Sequence, residues 1–214
     1  MKKIVLVAIL CITSTSIFAQ NKAKSLLDEV YNQVKSYKNI AIEFKYSLDN
    51  KEENIHQETQ GDVTISGDKY VFNYLGATKL FDGQKIYTVV PDNEEVTIEN
   101  KNSEDKDAIT PSKMLTFYKD GYNYSMDISQ NIKGRKIQYV KLTPIDSNSE
   151  IKNILLGIDT QTKNIYNLIQ TANGGSTTTT ITVTSFKTDQ PLPPNMFAFN
   201  MKKYKDDGYY IIQN

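Results

Sequence analysis

The sequence predicts a mainly β protein of the α+β class: one large, curved antiparallel sheet of about ten or eleven strands with helices on one face. Three observations lead there. Ile40, Ile42, Phe44, Tyr46 and Leu48 stand at every second position, with Ala41, Glu43, Lys45 and Ser47 between them. Side chains alternate across a strand, so this run has one apolar and one wet face, as in an antiparallel sheet with water on one side. Further strand-like runs follow almost without interruption, punctuated by turn residues. No alternation of strand and helix, no long repeat and no linker divides the chain.

Taken in order, Lys22–Tyr37 reads as an amphipathic helix, because Ala23, Leu26, Leu27, Val30, Val34 and Tyr37 recur at helical spacing. Ile40–Leu48 ends at the polar turn Asp49-Asn50-Lys51-Glu52. The next strand covers about Glu58–Ile65, and Gly67-Asp68 turns into Lys69–Leu75, where Tyr70, Phe72 and Tyr74 share one side. Thr78–Phe81 and Lys85–Val90 flank Asp82-Gly83, whose residues tolerate the positive φ of a tight hairpin. Glu95–Glu99 follows Pro91-Asp92-Asn93, and the polar run 100–107 reads as a loop.

Thr110-Pro111 starts a short helix over Ser112–Tyr118, with a hydroxyl at the cap and proline in the first turn. Strands are then expected at Tyr122–Ile128, Lys136–Thr143, Ile154–Asp159, Asn164–Gln170 and Thr177–Phe186. Turns lie at Thr160–Lys163 and Asn173-Gly174-Gly175. Pro191, Pro193 and Pro194 exclude a central strand there, and Phe197 and Phe199 point to one side.

Residues 1–19 read as a secretory signal peptide. Lys2 and Lys3 form a basic start, Ile4–Ile12 is apolar, and Ala19 offers a small residue for cleavage before Gln20. Nine apolar residues are too few to cross ~30 Å of hydrocarbon. Cleavage leaves residues 20–214 as one domain, with 23 basic against 25 acidic residues. It also removes Cys11, the only cysteine, so the exported chain can form no disulfide and use no thiolate. Near-neutral charge argues against a nucleic-acid or anionic-membrane surface.

Catalytic chemistry is sparse. His56 is the only histidine, which rules out a histidine-rich metal site and leaves no triad around any serine. Gly174-Gly175 is a hairpin turn rather than a phosphate loop. Glu94-Glu95 and Glu104-Asp105-Asp107 could hold calcium or serve a glycosidase, but paired carboxylates are common and their spacing does not fix their separation in space, so solvated loops are the preferred reading. No cofactor is called for. The amphipathic strands are the one positive signal. They fit an ordinary core as well as a ligand cavity.

The order of segments carries a resemblance. It runs from Ile42-x-Phe44 through Gly61-Asp62-Val63 and Lys69-Tyr70-x-Phe72 to Phe81-Asp82-Gly83-x-x-Ile86-Tyr87. Pro91-x-x-x-Glu95-Val96, Pro111-x-x-x-Leu115, Leu142-x-Pro144, Ile158-Asp159 and Pro194-x-x-Phe197-x-Phe199 continue it. This set is similar to the periplasmic outer-membrane lipoprotein carrier family, LolA, in the style of its Bacteroidetes members, from about Lys22 to Ile212.

The resemblance implies an incomplete β-barrel with helices covering its concave face, no enzyme activity, and a cavity for the acyl chains of a lipoprotein. It also implies a monomer that receives its cargo from an inner-membrane lipoprotein-releasing transporter and yields it to an outer-membrane acceptor. Candidate cavity residues are Phe44, Tyr46, Ile65, Tyr70, Phe72, Phe81 and Tyr87, with Met114 and Phe117 from a short helical lid. Family members latch the lid with an arginine before a proline at the start of the third strand. Here that segment reads Ser66-Gly67-Asp68-Lys69, and Arg135 is the only arginine, so the latch is not carried over. Two alternatives stand beside the carrier: another lipid-binding or envelope-stress-sensing module on the same sheet, and a carboxylate-dependent secreted hydrolase.

Overall fold

The structure is a computed structural model, and it describes residues 21–100, 113 and 115–213. The proposed signal peptide, Met114, Glu104, Asp105 and Asp107 lie outside them.

Helix α1 covers residues 21–36, so the expected helix stops one residue before Tyr37. Its stripe Ala23, Leu26, Leu27, Val30 and Val34 is buried, as an i, i+3, i+4, i+7 pattern requires. On its wet side Lys24 Nζ lies 2.6 Å from Asp28, one turn on. Among the described residues no helix is long and apolar enough to cross a membrane.

Strands β1 (Ile40–Asn50), β2 (Ile55–Ser66), β3 (Lys69–Tyr74), β4 (Ala77–Phe81), β5 (Lys85–Val90) and β6 (Glu95–Asn100) follow. After the 3-10 turn Phe117–Lys119 come β7 (Tyr122–Ile132), β8 (Arg135–Pro144), β9 (Ile151–Asp159), β10 (Ile165–Ala172) and β11 (Thr177–Thr188). Helix α2 (Met201–Asp206) and β12 (Tyr210–Gln213) close the described chain. The twelve strands form one sheet in the order β12-β6-β5-β4-β3-β2-β1-β11-β10-β9-β8-β7.

Eleven of these match the sequence expectation. The twelfth, β12, does not, and it pairs parallel to β6, so the expectation of a purely antiparallel sheet fails at this edge. Four residues held by a tertiary contact leave little pattern to read. The short helix expected over 112–118 also ends differently, because Phe117–Lys119 is 3-10 in form.

The chain packs as two compact units interleaved in sequence. One covers Met1–Lys35, Leu48–His56 and Tyr118–Thr180, and the other Ser36–Ser47, Gln57–Phe117 and Ile181–Asn214.

In the first unit, β7 to β10 form an antiparallel meander. Its core includes Ile137, Tyr139, Val140, Leu142, Ile154, Leu156 and Ile158, all under 5% exposed. Gly157 pairs with Tyr139 on one side and Asn167 on the other. A Cβ there would come within 2.1 Å of Asn167 Oδ1 and 3.0 Å of Tyr139 Cε1, so only glycine lets both buried side chains cross the strand. Around α1, Lys163 Nζ lies 2.7 Å from Glu29, and Lys119 Nζ sits 4.0 Å from the centre of the Tyr31 ring. The Tyr124 hydroxyl lies 2.8 Å from both the Tyr118 and Lys119 carbonyl oxygens, fixing the 3-10 turn.

The second unit is built on β2 to β6 with the first part of β1, and it uses both faces of its strands. On one, Val89, Val96 and Ile98 are buried beneath Phe199, Met201, Tyr204, Tyr209 and Ile211. Asn200 starts α2 by accepting a hydrogen bond from Lys203 N at 3.1 Å. The other face carries the Ile40–Phe44 stripe and is the candidate site.

Candidate functional site

The register decides which residues share a face. Ile65 pairs with Tyr70, Val63 with Phe72, and Gly61 with Tyr74. Tyr70 then pairs with Phe81, Phe72 with Lys79, and Tyr74 with Ala77. Paired residues lie on the same side of a sheet, so these rows form one face across β2, β3 and β4. Phe44 joins it from β1: its ring centroid lies 6.0 Å from Phe72 and 6.2 Å from Tyr74. Tyr46 meets Tyr74 edge-on at 5.5 Å, and Tyr70 packs 5.7 Å from Phe81.

The face is graded. Ile40, Ile42, Phe44, Val63, Ile65, Tyr70, Phe81 and Ile86 are buried. Tyr46, Phe72 and Tyr74 at the other end are half-buried. Seating Phe44 requires Gly61. A Cβ at Gly61 would lie 2.4 Å from Phe44 Cζ and 2.6 Å from the Asn73 carbonyl oxygen, so the ring lies flat over bare backbone. Burial, and secondarily the neighbouring Tyr46 hydroxyl, push the Tyr74 phenol up to about 12. The register puts Lys79 on the same face opposite Phe72.

Tyr87 does not belong to this face. It pairs with Leu80, whereas the neighbouring Phe81 pairs with Ile86, so Tyr87 points to the other side of the sheet. There it stacks on Phe199 at 4.2 Å and an interplanar angle of 11°, and Phe199 stacks on Tyr204 at 5.0 Å. Its hydroxyl donates to Asp82 Oδ2 at 3.0 Å. Asp82 also accepts from the backbone N–H of Gln84 and Lys85 at 2.7 and 2.8 Å. Burial pushes the Asp82 carboxyl up, but these hydrogen bonds outweigh it and hold the carboxyl below its usual range. Burial and the Asp82 bond raise Tyr87.

Phe117 is half-buried in its 3-10 turn and Leu115 is buried. Lys69, where the family's latch would begin, runs along the β4–β5 turn, its Cε 3.4 Å from where a Cβ on Gly83 would sit. Arg135 stands in the other unit, with Nη1 3.8 Å from Asp159 and the guanidinium 4.9 Å from the Tyr166 ring centre.

Two features of this end were not among the expected site residues. The β3–β4 hairpin turns on Leu75 (φ 51°) and Gly76 (φ 74°), the signs of a type I′ turn. A left-handed leucine costs roughly 1–2 kcal/mol, and this one is 68% exposed. Nearby is a cavity of about 470 Å³ whose lining includes Glu43, Asp62, Asn73, Thr78, Tyr74 and Leu75. Asn73 Nδ2 donates to Asp62 at 2.9 Å, and Thr78 donates to Asn73 Oδ1 at 2.8 Å, a polar ladder on the wet face. Of the expected site residues only Phe44 lines this cavity.

Among the described residues, no group of three or more His, Cys, Asp or Glu side chains could hold a metal. Glu94 is exposed at the end of a 3-10 turn and Glu95 is half-buried on β6. His56 Nδ1 lies 2.6 Å from Asp49 across the β1–β2 turn, with both side chains exposed.

A long, mostly antiparallel sheet entered through an amphipathic helix places the protein among the lipoprotein-carrier-like folds. The chain belongs to the LolA family: the family model described as outer membrane lipoprotein carrier protein LolA matches residues 35–200. Comparison with curated protein sequences gives no match. Among solved structures, an uncharacterized conserved protein from Thermus thermophilus superposes with a TM-score of 0.56 at 9% identity, over 87% of this chain and 98% of that one. LprF from Mycobacterium bovis gives 0.50 at 13% identity, over 83% and 98%. A LolA superfamily protein from Nitrosomonas europaea gives 0.41 at 11% identity, over 83% and 97%. At these identities the likeness is one of fold.

Proposed function

We propose that the protein is a periplasmic lipoprotein chaperone that shields acyl chains on the Phe44–Phe72 face of its sheet and carries them between the two membranes. Residues 1–19 serve as a cleaved export signal, and residues 20–214 act as a single carrier domain. The observation that carries this reading is the graded face. Its deep end is closed, while Tyr46, Phe72 and Tyr74 keep apolar surface open. Each methylene withdrawn from water is worth ~0.8 kcal/mol, so one long chain left exposed costs on the order of 10 kcal/mol. A carrier must hide that chain and later release it, which needs differential affinity rather than a catalytic group.

Phe72 and Tyr74, stacked 5.8 Å apart, and Tyr46 supply flat surface that an acyl chain can lie along. An inner-membrane releasing transporter and an outer-membrane acceptor complete the route, and no cofactor is needed.

Displacement of a fluorescent fatty acid from the purified protein, followed by native mass spectrometry with a triacylated lipoprotein, tests the reading. The expected result is stoichiometric displacement and a lipoprotein complex. Failure to displace the probe overturns it. Binding of free lipid without any lipoprotein complex turns it into lipid scavenging.

A further inference from the structure

We propose that Asn173-Gly174, in the β10–β11 turn, is a self-modifying site at which the asparagine carboxamide converts to aspartate and isoaspartate in the folded chain. The conversion starts when the amide nitrogen of the following residue reaches the asparagine Cγ. A side chain on that residue obstructs the approach, and glycine has none. Asn173-Gly174 is the only Asn-Gly pair in the sequence. The proposal holds whether or not the chain carries acyl cargo.

The turn leaves the reacting atoms available. Asn173, Gly174 and Gly175 are all exposed. Gly175 N–H donates to the Ala172 carbonyl at 2.8 Å, and Gly175 is left-handed at φ 80°. A type I turn closed by a left-handed glycine therefore puts Asn173 and Gly174 at its two central positions. Asn173 N–H donates to the Glu150 carbonyl at 2.7 Å, which anchors the residue by its backbone alone. Among the described residues no hydrogen bond engages the Gly174 N–H or the Asn173 carboxamide. A Cβ on Gly174 would meet only Ser176 Oγ, at 3.8 Å, so the chain has room to bend into the ring. Related pairs are held instead. In Asn148-Ser149 the attacking nitrogen, Ser149 N, donates to the Asp146 carbonyl at 3.3 Å. In Asp82-Gly83 the carboxylate is occupied by Gln84 N and Lys85 N at 2.7 and 2.8 Å.

The chemistry needs only water. Gly174 N bonds to Asn173 Cγ as the Cγ–Nδ2 bond breaks, and the amide proton leaves with the nitrogen as ammonia. Water then opens the cyclic imide. Opening at Cγ gives aspartate, and opening at the Asn173 backbone carbonyl gives isoaspartate, whose main chain runs through Cβ and is one carbon longer. The two products differ in their effect. A carboxylate at 173 is exposed, and Lys152 Nζ lies 3.9 Å from where a Cβ on Gly175 would sit, so charge alone changes stability little. The extra main-chain carbon lies inside the turn that the Gly175–Ala172 and Asn173–Glu150 hydrogen bonds close, and it loosens this hairpin.

Ageing the folded exported chain in mildly alkaline buffer, followed by peptide mapping and an isoaspartyl-specific methylation assay, tests this. The expected result is an acidic shift of one charge per converted chain. The mass change of NH2 to OH should map to the Asn173-Gly174 peptide before any other asparagine, with isoaspartate the larger product. Gly174→Ala should slow the conversion strongly and keep the parent's melting temperature, because Gly174 is not left-handed and the added methyl has space. Asn173→Asp supplies the charge without the longer main chain, so it should melt with the parent while the isoaspartyl fraction melts lower. Three results would overturn the proposal: first conversion at another asparagine, conversion only after the chain is unfolded in urea, or equal rates in the parent and Gly174→Ala.

Discussion

Gly61→Ala tests the packing of the aromatic face most sharply. The added methyl would sit 2.4 Å from Phe44 Cζ, 3.0 Å from Phe44 Cε2 and 2.6 Å from the Asn73 carbonyl oxygen. Ordinary carbon contacts need about 3.5–4.0 Å, so the ring must lift by about 1 Å and β3 must shift as well. Overpacking of this kind costs about 1–3 kcal/mol, a fall of about 2–12 °C in melting temperature for a chain of this size. Lifting Phe44 also disturbs its contacts with Phe72 and Tyr74, so fatty-acid affinity should fall with stability. Phe44→Leu removes the colliding ring edge. In a double-mutant cycle it should therefore cost less on the Gly61→Ala background than on the parent, with a coupling of at least about 0.5 kcal/mol. The Asn73 contact remains, so the rescue should be partial. Thermal melts of the four chains decide. A Gly61→Ala chain that melts with the parent, or a cycle with no coupling, would refute the claim that this glycine seats the ring.

Further expectations concern the two faces and the titrating groups. Phe72→Ala should weaken fatty-acid displacement more than it lowers the melting temperature, whereas Tyr87→Leu, on the Phe199 side, should do the reverse. In the other unit, Gly157→Ala should destabilise the meander by about 2 kcal/mol or more, measurable by urea unfolding, because its methyl meets buried Asn167 Oδ1 at 2.1 Å. Asp82 has a lowered carboxyl in the fold, so its contribution is present above the unfolded value and lost as pH falls below about 4. Asp82→Asn should flatten acid unfolding there. Tyr74 titrates at about 12 against an ordinary 10.0, so the fold favours its neutral form. That stability is complete below pH 10 and drains away toward 12, and Tyr74→Phe should remove a late step from the ultraviolet titration.

Much of the fold is legible in the sequence because period two is a local signal. β1 through β11 follow from alternation and turn residues, and Asp82-Gly83 marks its hairpin since the Asp82 carboxylate caps the turn N–H groups. What is not legible depends on register. Alternation says that Phe81 and Tyr87 each have a side, but not the same side. Pairing Leu80 with Tyr87 settles this, and a one-residue slip would reverse it. β12 is short, parallel and dependent on β6. Leu75 reads as the end of a strand because leucine is not a turn residue, although Gly76 is the available hint. Gly61 enters the sequence only as part of Gly61-Asp62-Val63, and its role as the seat of a ring emerges only once Phe44 lies above it.

Apolar cargo lying against the half-open aromatic end is the central requirement of the carrier reading. Paramagnetic broadening by a spin-labelled fatty acid, read residue by residue in the NMR spectrum of the exported chain, tests that most directly. Broadening is expected at Tyr46, Phe72 and Tyr74, with Val96 and Ile98 untouched. Broadening centred on the Val96 face, or none with the fatty acid in excess, would contradict it.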